Sequence, residues 1–502
     1  MRRLFTARIG LILALTTFFA ASSVFSAGVD ITGIGARAQA LGGNYRAIAN
    51  DWSAMFWNPA GMAFTEGVNM GLSLELITPV SGYTAAKSLA GQQFSATYPT
   101  ERKNEPKTFI VPAAGIYMNK GRFAFGIGFW APFGLGAKWD LLDTEKYNKQ
   151  FPKYEFEDDL QIVDLHPSVA YKISDKLSVG AGLSIIYAKI WIHKPNFTPN
   201  PYIYSDELKS NLLIKNFLQY TMPKDALDSP YDHLITDTNL EGTGSGIGAN
   251  FGLMFKPTST LSIGISANYY PTIPLTGTVD ATTYYADHPE ANEKLQPVKK
   301  LAFDPMYQKG ELTDEEYAAL ALFYSGGTNV LAKGLKLKAD LPLPMRVGGG
   351  IAYTGIPNLL ISADVAWTQW SVWDVIELKN EQGEAFSALV EKWRDSIRAG
   401  FGLEYSLNTI KLRGAFYSEP NAAIPATMAP TIPDISRRNT VTIGFEYPVG
   451  PFRLHASYEK IFLSDLTVDQ WVLEPDGNGY ENMAGRYTMN VNNVMFGLDY
   501  RF

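Results

Sequence analysis

The sequence predicts an all-β fold, a membrane-spanning barrel of fourteen antiparallel strands with an N-terminal plug in its lumen. Three observations lead to this prediction. About fourteen segments alternate apolar and polar side chains, and no run of ~20 apolar residues could form a transmembrane helix. The 502 residues include 27 Tyr, 28 Phe, 10 Trp and 44 Gly, while only 19% are charged. That mixture is typical of a β-rich protein rather than a coiled coil or a disordered chain.

The composition excludes several kinds of protein. The chain has no cysteine, which removes disulfide scaffolds, thiolate metal sites and cysteine nucleophiles. A net charge of -7 argues against a nucleic-acid partner, because phosphates require a basic surface. Five histidines leave little room for a multi-histidine metal centre. We therefore expect no cofactor, no bound metal and no nucleic acid.

The N-terminus predicts export. Three arginines within the first eight residues precede an apolar run over residues 9–21, and small residues surround Ala27. This layout is typical of a secretory signal peptide, here residues 1–27, and the apolar run is too short to span a membrane as a helix. An uncleaved membrane anchor is the less favoured alternative.

The alternation distinguishes a membrane barrel from a soluble sandwich. In the last segment the apolar residues share one face (Val494, Phe496, Leu498, Tyr500 and Phe502) and small or polar residues occupy the other. The pattern recurs near residues 177–185, 261–269, 397–407 and 441–447, with glycines on the second face. Glycine weakens an ordinary strand but suits a curved barrel wall that an internal plug approaches. Residues 67–502 are therefore predicted to form the barrel, with apolar faces toward lipid.

The predicted strands and connections follow in order. The alternating segments start near residues 67, 107, 121, 162, 176, 240, 260, 340, 357, 396, 409, 438, 451 and 487. Tight turns alternate with long loops over residues 132–160, 193–239, 280–335 and 371–394. Pro342 and Pro344 disfavour ladder pairing in the strand near residue 340. An even strand number suits a single-chain outer-membrane barrel.

Residues 28–66 do not read as a strand. They are rich in glycine and alanine and lack alternation. Their aromatic residues, Trp52, Phe56 and Trp57, favour an ordered segment, because disordered tails are usually depleted of aromatics. We expect this segment to fold as a plug, or hatch, inside the barrel.

Several short motifs in this order resemble the FadL/TodX family of hydrophobic-compound transporters. The first group lies in the predicted hatch: Gly42-Gly43-Asn44, Asp51-Trp52-Ser53-Ala54 and Asn58-Pro59-Ala60-Gly61-Met62-Ala63. The second group follows along the barrel: Pro167-Ser168-Val169-Ala170-Tyr171, Leu343-Pro344, Trp367-Thr368-Gln369-Trp370, Leu412-Arg413-Gly414, Ile432-Pro433-Asp434 with Arg437, and Tyr500-Arg501-Phe502. The resemblance covers most of the mature chain.

The resemblance implies a hatch-plugged barrel in the outer membrane of a Gram-negative bacterium. It implies passive uptake of long-chain fatty acids or, in the TodX-like branch, of aromatic hydrocarbons. The substrate would pass an internal site that touches the mature N-terminus, here Gly28 and Val29, and would leave through the barrel wall. In the family that exit lies at an inward kink of the third strand, which by count is residues 122–130. Gly126 and Gly128 face inward there and Phe129 faces outward, and these glycines permit a kink.

Further substrate-path candidates carry open alternatives. Asn58, Pro59 and Ala60 could contact the substrate, although a structural turn is the favoured interpretation. Trp130 and Phe133, in the predicted loop after the third strand, could line an outer landing groove or could simply pack within the loop.

A carboxylate headgroup away from water requires a cation, and four inward-facing arginines are candidates for that role. These are Arg398, Arg413, Arg438 and Arg453. The favoured alternative is that they pair with lumen carboxylates such as Glu404 and Glu446.

Two functions from other classes remain as alternatives. An outer-membrane lipid hydrolase could use His455 and Ser457, but both residues share the lumen face of their strand, so we expect no enzyme. An open porin would conduct ions, which a plug should prevent. The expected partners are the hydrophobic substrate, outer-membrane lipid and the barrel assembly machinery, through the C-terminal Phe502, and the chain is expected to be a monomer.

Overall fold

The structure is a computed structural model that describes residues 29–31, 33–86, 101–141, 151–199, 233–285, 289–311, 314, 317, 327–472 and 482–502. The predicted signal peptide, residues 1–27, and Gly28 lie outside the described residues. Among the described helices, none has the length and apolar character needed to cross a membrane.

Strands make up most of the described chain. They are β1 (Gly67–Ala85), β2 (Arg102–Lys103), β3 (Phe109–Lys120), β4 (Phe123–Trp139), β5 (Phe156–Ser174), β6 (Leu177–Pro199), β7 (His233–Phe255), β8 (Leu261–Tyr269), β9 (Ile273–Tyr285), β10 (Gly327–Leu341), β11 (Arg346–Ile356), β12 (Leu359–Thr368), β13 (Val375–Lys379), β14 (Ala385–Val390), β15 (Ser396–Leu407), β16 (Ile410–Glu419), β17 (Arg438–Val449), β18 (Phe452–Phe462), β19 (Leu466–Val468) and β20 (Gly485–Arg501).

The strands form one closed antiparallel barrel. Each spanning strand pairs with its sequence neighbour, and β1 closes the sheet against β20 from Asn69↔Arg501 to Ala85↔Gly485. Two spanning strands are interrupted, one built from β8 and β9 and the next from β10 and β11. Pro342 and Pro344 occupy the second interruption, where they cannot donate to the ladder. Counted this way the barrel has fourteen spanning strands, and the predicted fold class is confirmed.

The two faces of the wall differ as the alternation predicts. Large apolar side chains point outward and are exposed, among them Phe125, Ile247 and Phe401. Inward positions hold small or polar residues such as Ser73, Glu75 and Asn493, which are buried. Tyr405 and Tyr447 point outward within two residues of short turns, as expected for an aromatic girdle at the membrane surface.

The predicted loop bounds were wrong, because several strands continue well past the outward apolar band. The β6–β7 ladder, for example, runs without a shift from Leu177↔Phe255 to Pro199↔His233. The predicted loop over 371–394 contains the β13–β14 hairpin. The long connection between β9 and β10 carries two helices, Pro289–Val298 and Asp304–Gln308. The alternation of apolar and polar residues marks only the lipid-facing part of a strand, so it did not indicate these extensions.

Residues 29–66, here called the N-terminal segment, precede the first strand. The segment contains two short helices, Ala36–Ala40 and Ala54–Trp57, and a 3₁₀ turn over Pro59–Phe64. The first helix packs on β17, β18 and β20, and the 3₁₀ turn packs on β5, β6 and β7. Because these are inward contacts with opposite sides of the sheet, the segment crosses the lumen.

Candidate functional site

Buried ion pairs attach the first helix of the N-terminal segment to one side of the wall. Arg37 Nε donates to Glu404 Oε2 at 2.9 Å, and Arg413 Nε donates to the same oxygen at 2.7 Å. Arg413 also pairs with Glu446, and its side chain is fully buried. Arg413, a predicted headgroup partner, is therefore paired with two carboxylates. Such pairing with lumen carboxylates is the alternative that the sequence favoured.

Arg398, another predicted headgroup partner, contacts the N-terminal segment directly. Its Nη2 donates to the Gly42 carbonyl at 2.5 Å. Its guanidinium also stacks over the Tyr417 ring, 3.7 Å from the centroid. These two contacts place the arginine between the wall and the segment.

Asn58, Pro59 and Ala60 form the start of the 3₁₀ turn. Asn58 Oδ1 accepts a hydrogen bond from the Ala60 amide at 3.2 Å, which caps the turn. Asn58 Nδ2 donates to the carbonyls of Arg46 at 2.9 Å and Leu253 at 3.1 Å. The asparagine thus joins two parts of the segment to β7.

His455 and Ser457 both face the lumen, and each bonds to a different neighbour. His455 Nε2 lies 3.0 Å from Asp499 Oδ2, and Ser457 Oγ donates to Gln39 Oε1 at 2.6 Å. The serine hydroxyl therefore holds the N-terminal segment. A hydrolase acting on bilayer lipid would need both side chains on the opposite face.

The wall has a break between β3 and β4. The two strands pair from Lys120↔Phe123 only to Ala114↔Phe129, although β3 begins at Phe109 and β4 continues to Trp139. Beyond this point β4 carries one extra residue against β5, since Trp130 pairs with Asp164 and Phe133 with Ile162. Such a bulge bends the strand that carries it. We call this region the β4 break.

Prolines stand on both edges of the break. Pro112 lies on β3 and Pro132 lies in the bulge of β4. Neither residue has an N–H, so neither can donate to a ladder across the gap. Past the gap, the Glu105 amide, in the segment before β3, donates to the Lys138 carbonyl of β4 at 2.8 Å. The break is therefore a bounded gap in the backbone pairing of the wall.

The first described residues, 29–31, lie on the inner side of the β4 break and are here called the N-terminal arm. The Ile31 amide donates to the Pro132 carbonyl at 3.1 Å, and the Gly134 amide donates to the Val29 carbonyl at 2.8 Å. The side chain of Asp30 forms an ion pair with Arg346 on β11. The arm thus connects the break to the opposite wall.

Apolar side chains surround the break. Ile31 packs in one cluster with Phe109, Val111 and other buried residues, and Ala131, Leu135 and Ala137 pack against it. Val29 belongs to a second, larger apolar cluster that includes Phe133. Apolar side chains of the N-terminal arm and of both strands therefore surround the break.

The predicted third-strand residues surround the same break. A Cβ on Gly126 would lie 2.7 Å from Met55 Sδ, and one on Gly128 would lie 2.1 Å from the Trp130 ring, so both glycines face inward against large side chains. Phe129 forms the last paired rung with Ala114 and is half-buried.

The placement of Trp130 and Phe133 in a loop was wrong. Both residues lie within β4, because the strand continues through the bulge. Trp130 is fully buried and its ring meets Phe56 edge to face at 5.7 Å. The Phe133 ring lies 5.1 Å from Tyr270 across the lumen. They line the interior and not an outer groove.

A cavity of about 390 Å³ lies above the break, at the end of the barrel that carries the long connections. We call it the outer cavity. Leu135 lines this cavity and also packs against the cluster at the break. Trp373, Trp393 and Trp471 contribute aromatic surface. Its volume falls within the range of ~300–1,000 Å³ that is usual for ligand pockets.

Sequence reasoning missed three parts of this site: the ion pair between Asp30 and Arg346, the paired prolines at the break and the tryptophans of the outer cavity. Pro112 was visible as a proline within an alternating segment, and that signal could have marked an unpaired edge. The other two depend on which strands lie opposite each other, which alternation does not encode.

Comparisons with known proteins agree with this architecture. Residues 12–502 match the family model described as outer membrane protein transport protein (OMPP1/FadL/TodX). A long-chain fatty acid transport protein of Escherichia coli is 22% identical over 361 residues, which are 72% of this chain and 69% of the relative. Outer membrane protein P1 of Haemophilus influenzae is 24% identical over 236 residues, 44% of this chain and 48% of the relative.

Solved structures show the same fold. The crystal structure of a Pseudomonas aeruginosa FadL homologue matches with a TM-score of 0.69 and 18% identity, covering 95% of this chain and 100% of that one. The Pseudomonas putida toluene transporter TodX matches with a TM-score of 0.62 and 16% identity, covering 94% and 99%. At these identities the likeness concerns the fold alone.

Proposed function

Because the chain belongs to the outer membrane protein transport family (OMPP1/FadL/TodX), we propose that it takes up long-chain fatty acids passively through its wall. Family membership makes it a β-barrel of the Gram-negative outer membrane, in a family of transporters for hydrophobic compounds. The proposal concerns the substrate and the route.

The observation that carries the proposal is the β4 break. A continuous apolar lining runs from the outer cavity through Leu135 to Ile31 and the opening between β3 and β4. Entry of a hydrophobic molecule into this lining is favourable by about 25 cal/mol per Å² of apolar surface removed from water. The route ends in lipid, so it needs no chemical energy.

Two observations favour fatty acids over small aromatic hydrocarbons. The outer cavity, at about 390 Å³, is roomy for a single aromatic ring. The Escherichia coli relative that matches over most of both chains is a long-chain fatty acid transport protein. Uptake of aromatic hydrocarbons is the alternative, since the toluene transporter TodX shares the fold.

We assign residues 28–66 the role of a hatch. Contacts of the N-terminal segment with opposite sides of the wall support this role, as do its buried aromatic side chains. We further propose that residues 1–27 are a signal peptide, that the chain works as a monomer in outer-membrane lipid and that Phe502 addresses it to the barrel assembly machinery. Since His455 and Ser457 bond to other groups in the lumen, we propose no catalytic activity.

The route is tested by removing the bulge. Deletion of Pro132 takes out the one extra residue of β4, so the strand can keep a single register against β5 and pair further with β3. Cells that lack their own transporter and express each variant are given oleate and toluene in parallel. We expect the wild type to take up oleate and the deletion variant to lose most of that uptake.

Pro132→Ala is the matched control, because it keeps the extra residue and should keep uptake. Equal yields of each chain from the outer membrane show equal amounts. Equal circular dichroism spectra of the purified chains show that each variant folds as a barrel. If the wild type takes up toluene but not oleate, aromatic hydrocarbons are the substrate class. Uptake of neither compound by the wild type would overturn it.

A further inference from the structure

The polar end of the outer cavity carries an excess of negative charge. Three ionisable side chains face the cavity among the described residues: Asp158, Lys194 and Glu391. Two are carboxyl groups and one is an ammonium. Ionised fatty acids are anions, so the negative charge of this lining disfavours binding of the substrate class proposed above.

The main chain of Glu391 is held in place beside the cavity by two hydrogen bonds. Its amide donates to the Asp374 carbonyl at 2.8 Å, and its carbonyl accepts a hydrogen bond from Thr427 Oγ1 at 2.7 Å. Two residues on, the Trp393 ring packs against Trp373 with centroids 4.6 Å apart. The side chain therefore enters the cavity from a rigid loop beside aromatic surface.

Three of the described cations near these carboxyl groups are shared between them or paired with other carboxylates. Lys194 lies within electrostatic reach of both Asp158 and Glu391, so one ammonium serves two carboxyl groups. On the neighbouring strands Lys138 pairs with Glu157 at 2.9 Å, and His193 pairs with Asp237 at 2.5 Å. An incoming carboxylate would add a further negative charge to this partly desolvated site.

We propose that the outer cavity accepts amphiphiles with a neutral, hydrogen-bonding head, that is protonated carboxylic acids and long-chain alcohols, and that Glu391 is the residue that excludes ionised heads. This inference rests on the proposed function. It makes the cavity a charge filter before the β4 break: an acid enters with its proton, and an anion of the same chain length is rejected while Glu391 is ionised.

The filter should depend on pH near neutrality. Burial, together with the negative charge of Asp158, raises the pKa of Glu391 to about 7. A group with this pKa is protonated to about one tenth at pH 8 and about nine tenths at pH 6. The titratable groups that surround it are Glu157, Asp158, Asp159, His193 and Lys194.

The test uses a probe that cannot itself be protonated. Cells that lack their own transporter and express the full chain are given hexadecane sulfonate or hexadecanol at pH 6 and at pH 8. We expect uptake of the sulfonate by the wild type to rise up to about nine-fold between pH 8 and pH 6, following the protonated fraction of Glu391. Uptake of the alcohol should stay constant.

Glu391→Gln should take up the sulfonate at the higher rate at both pH values. Asp469→Asn is the matched control, since Asp469 is exposed at the same end of the barrel and does not line the cavity. It should reproduce the wild-type pH profile.

Two outcomes would overturn the inference: a pH-independent sulfonate uptake by the wild type, or a loss of sulfonate uptake in Glu391→Gln. Either leaves the proposed function standing if alcohol and oleate still enter. Failure of the wild type to take up any probe would instead remove the proposed function itself.

Discussion

The N-terminal segment is attached to the wall in two different ways. Residues 36–66 are held by buried ion pairs and side-chain hydrogen bonds, including Arg37 to Glu404 and Ser457 to Gln39. The N-terminal arm, residues 29–31, is held by two backbone hydrogen bonds to β4 and one ion pair to Arg346. The body of the segment is thus fixed by several side-chain ion pairs and hydrogen bonds, whereas the arm has one ion pair besides its backbone bonds and the apolar packing of Val29 and Ile31. Local opening free energies should differ accordingly.

The largest expected effect is on the body of the segment. Arg413→Met leaves Glu404 with one fewer partner and Glu446 without its buried arginine, so the free energy of unfolding should fall by about 3–5 kcal/mol. Urea unfolding followed by tryptophan fluorescence measures the change. Arg453→Met is the control, because Arg453 is half-exposed and reaches Glu446 only at 3.5 Å, which predicts a loss below about 1 kcal/mol. Equal losses in the two variants would contradict a buried network.

An intermediate effect is expected where a single neutral hydrogen bond holds the same helix. Ser457→Ala removes the donor to Gln39 and should cost about 1 kcal/mol of unfolding free energy. Oleate uptake should stay at the wild-type rate, because the hydroxyl only positions the segment. A loss of lipid hydrolysis in this variant would revive the enzyme alternative.

The smallest change in global stability is expected at the arm. Asp30→Asn removes the ion pair with Arg346, but the arm can lift and let water reach the guanidinium, so the free energy of unfolding should change by less than about 1 kcal/mol. Hydrogen exchange should instead accelerate at the amides of Ile31 and Gly134, which form the two backbone bonds to the break. A loss as large as that of Arg413→Met would show that arm and body unfold together.

The sequence predicted the wall better than the lumen. Alternation reports which face a side chain takes, so residues such as Phe125 and Ile247 were assigned outward from the pattern alone, and the strand count followed. Alternation does not report where a residue lies along the barrel axis relative to residues on distant strands. The ion pair between Asp30 and Arg346 joins residues 316 positions apart and depends on that axial position.

Two other differences have local causes. The bulge at residues 131–132 adds one residue to β4, so the strand continues where the pattern indicated a loop, and Trp130 and Phe133 turn into the lumen. Arg413 was placed correctly on the inner face, but its role depends on the carboxylates of two neighbouring strands, Glu404 and Glu446. Their cross-strand alignment is a property of register, which the sequence leaves open.

The seam between β1 and β20 joins the first strand of the barrel to the last, so it can form only after the last strand has been synthesised. Val68 and Phe502 exchange two backbone hydrogen bonds, at 2.6 and 3.0 Å, across a separation of 434 residues. Contacts of such high contact order form late, because the whole intervening chain must first be arranged. The cylinder therefore cannot be completed before its last residue arrives. A chain shortened by its final strand would retain two long unsatisfied edges, and such edges recruit other strands.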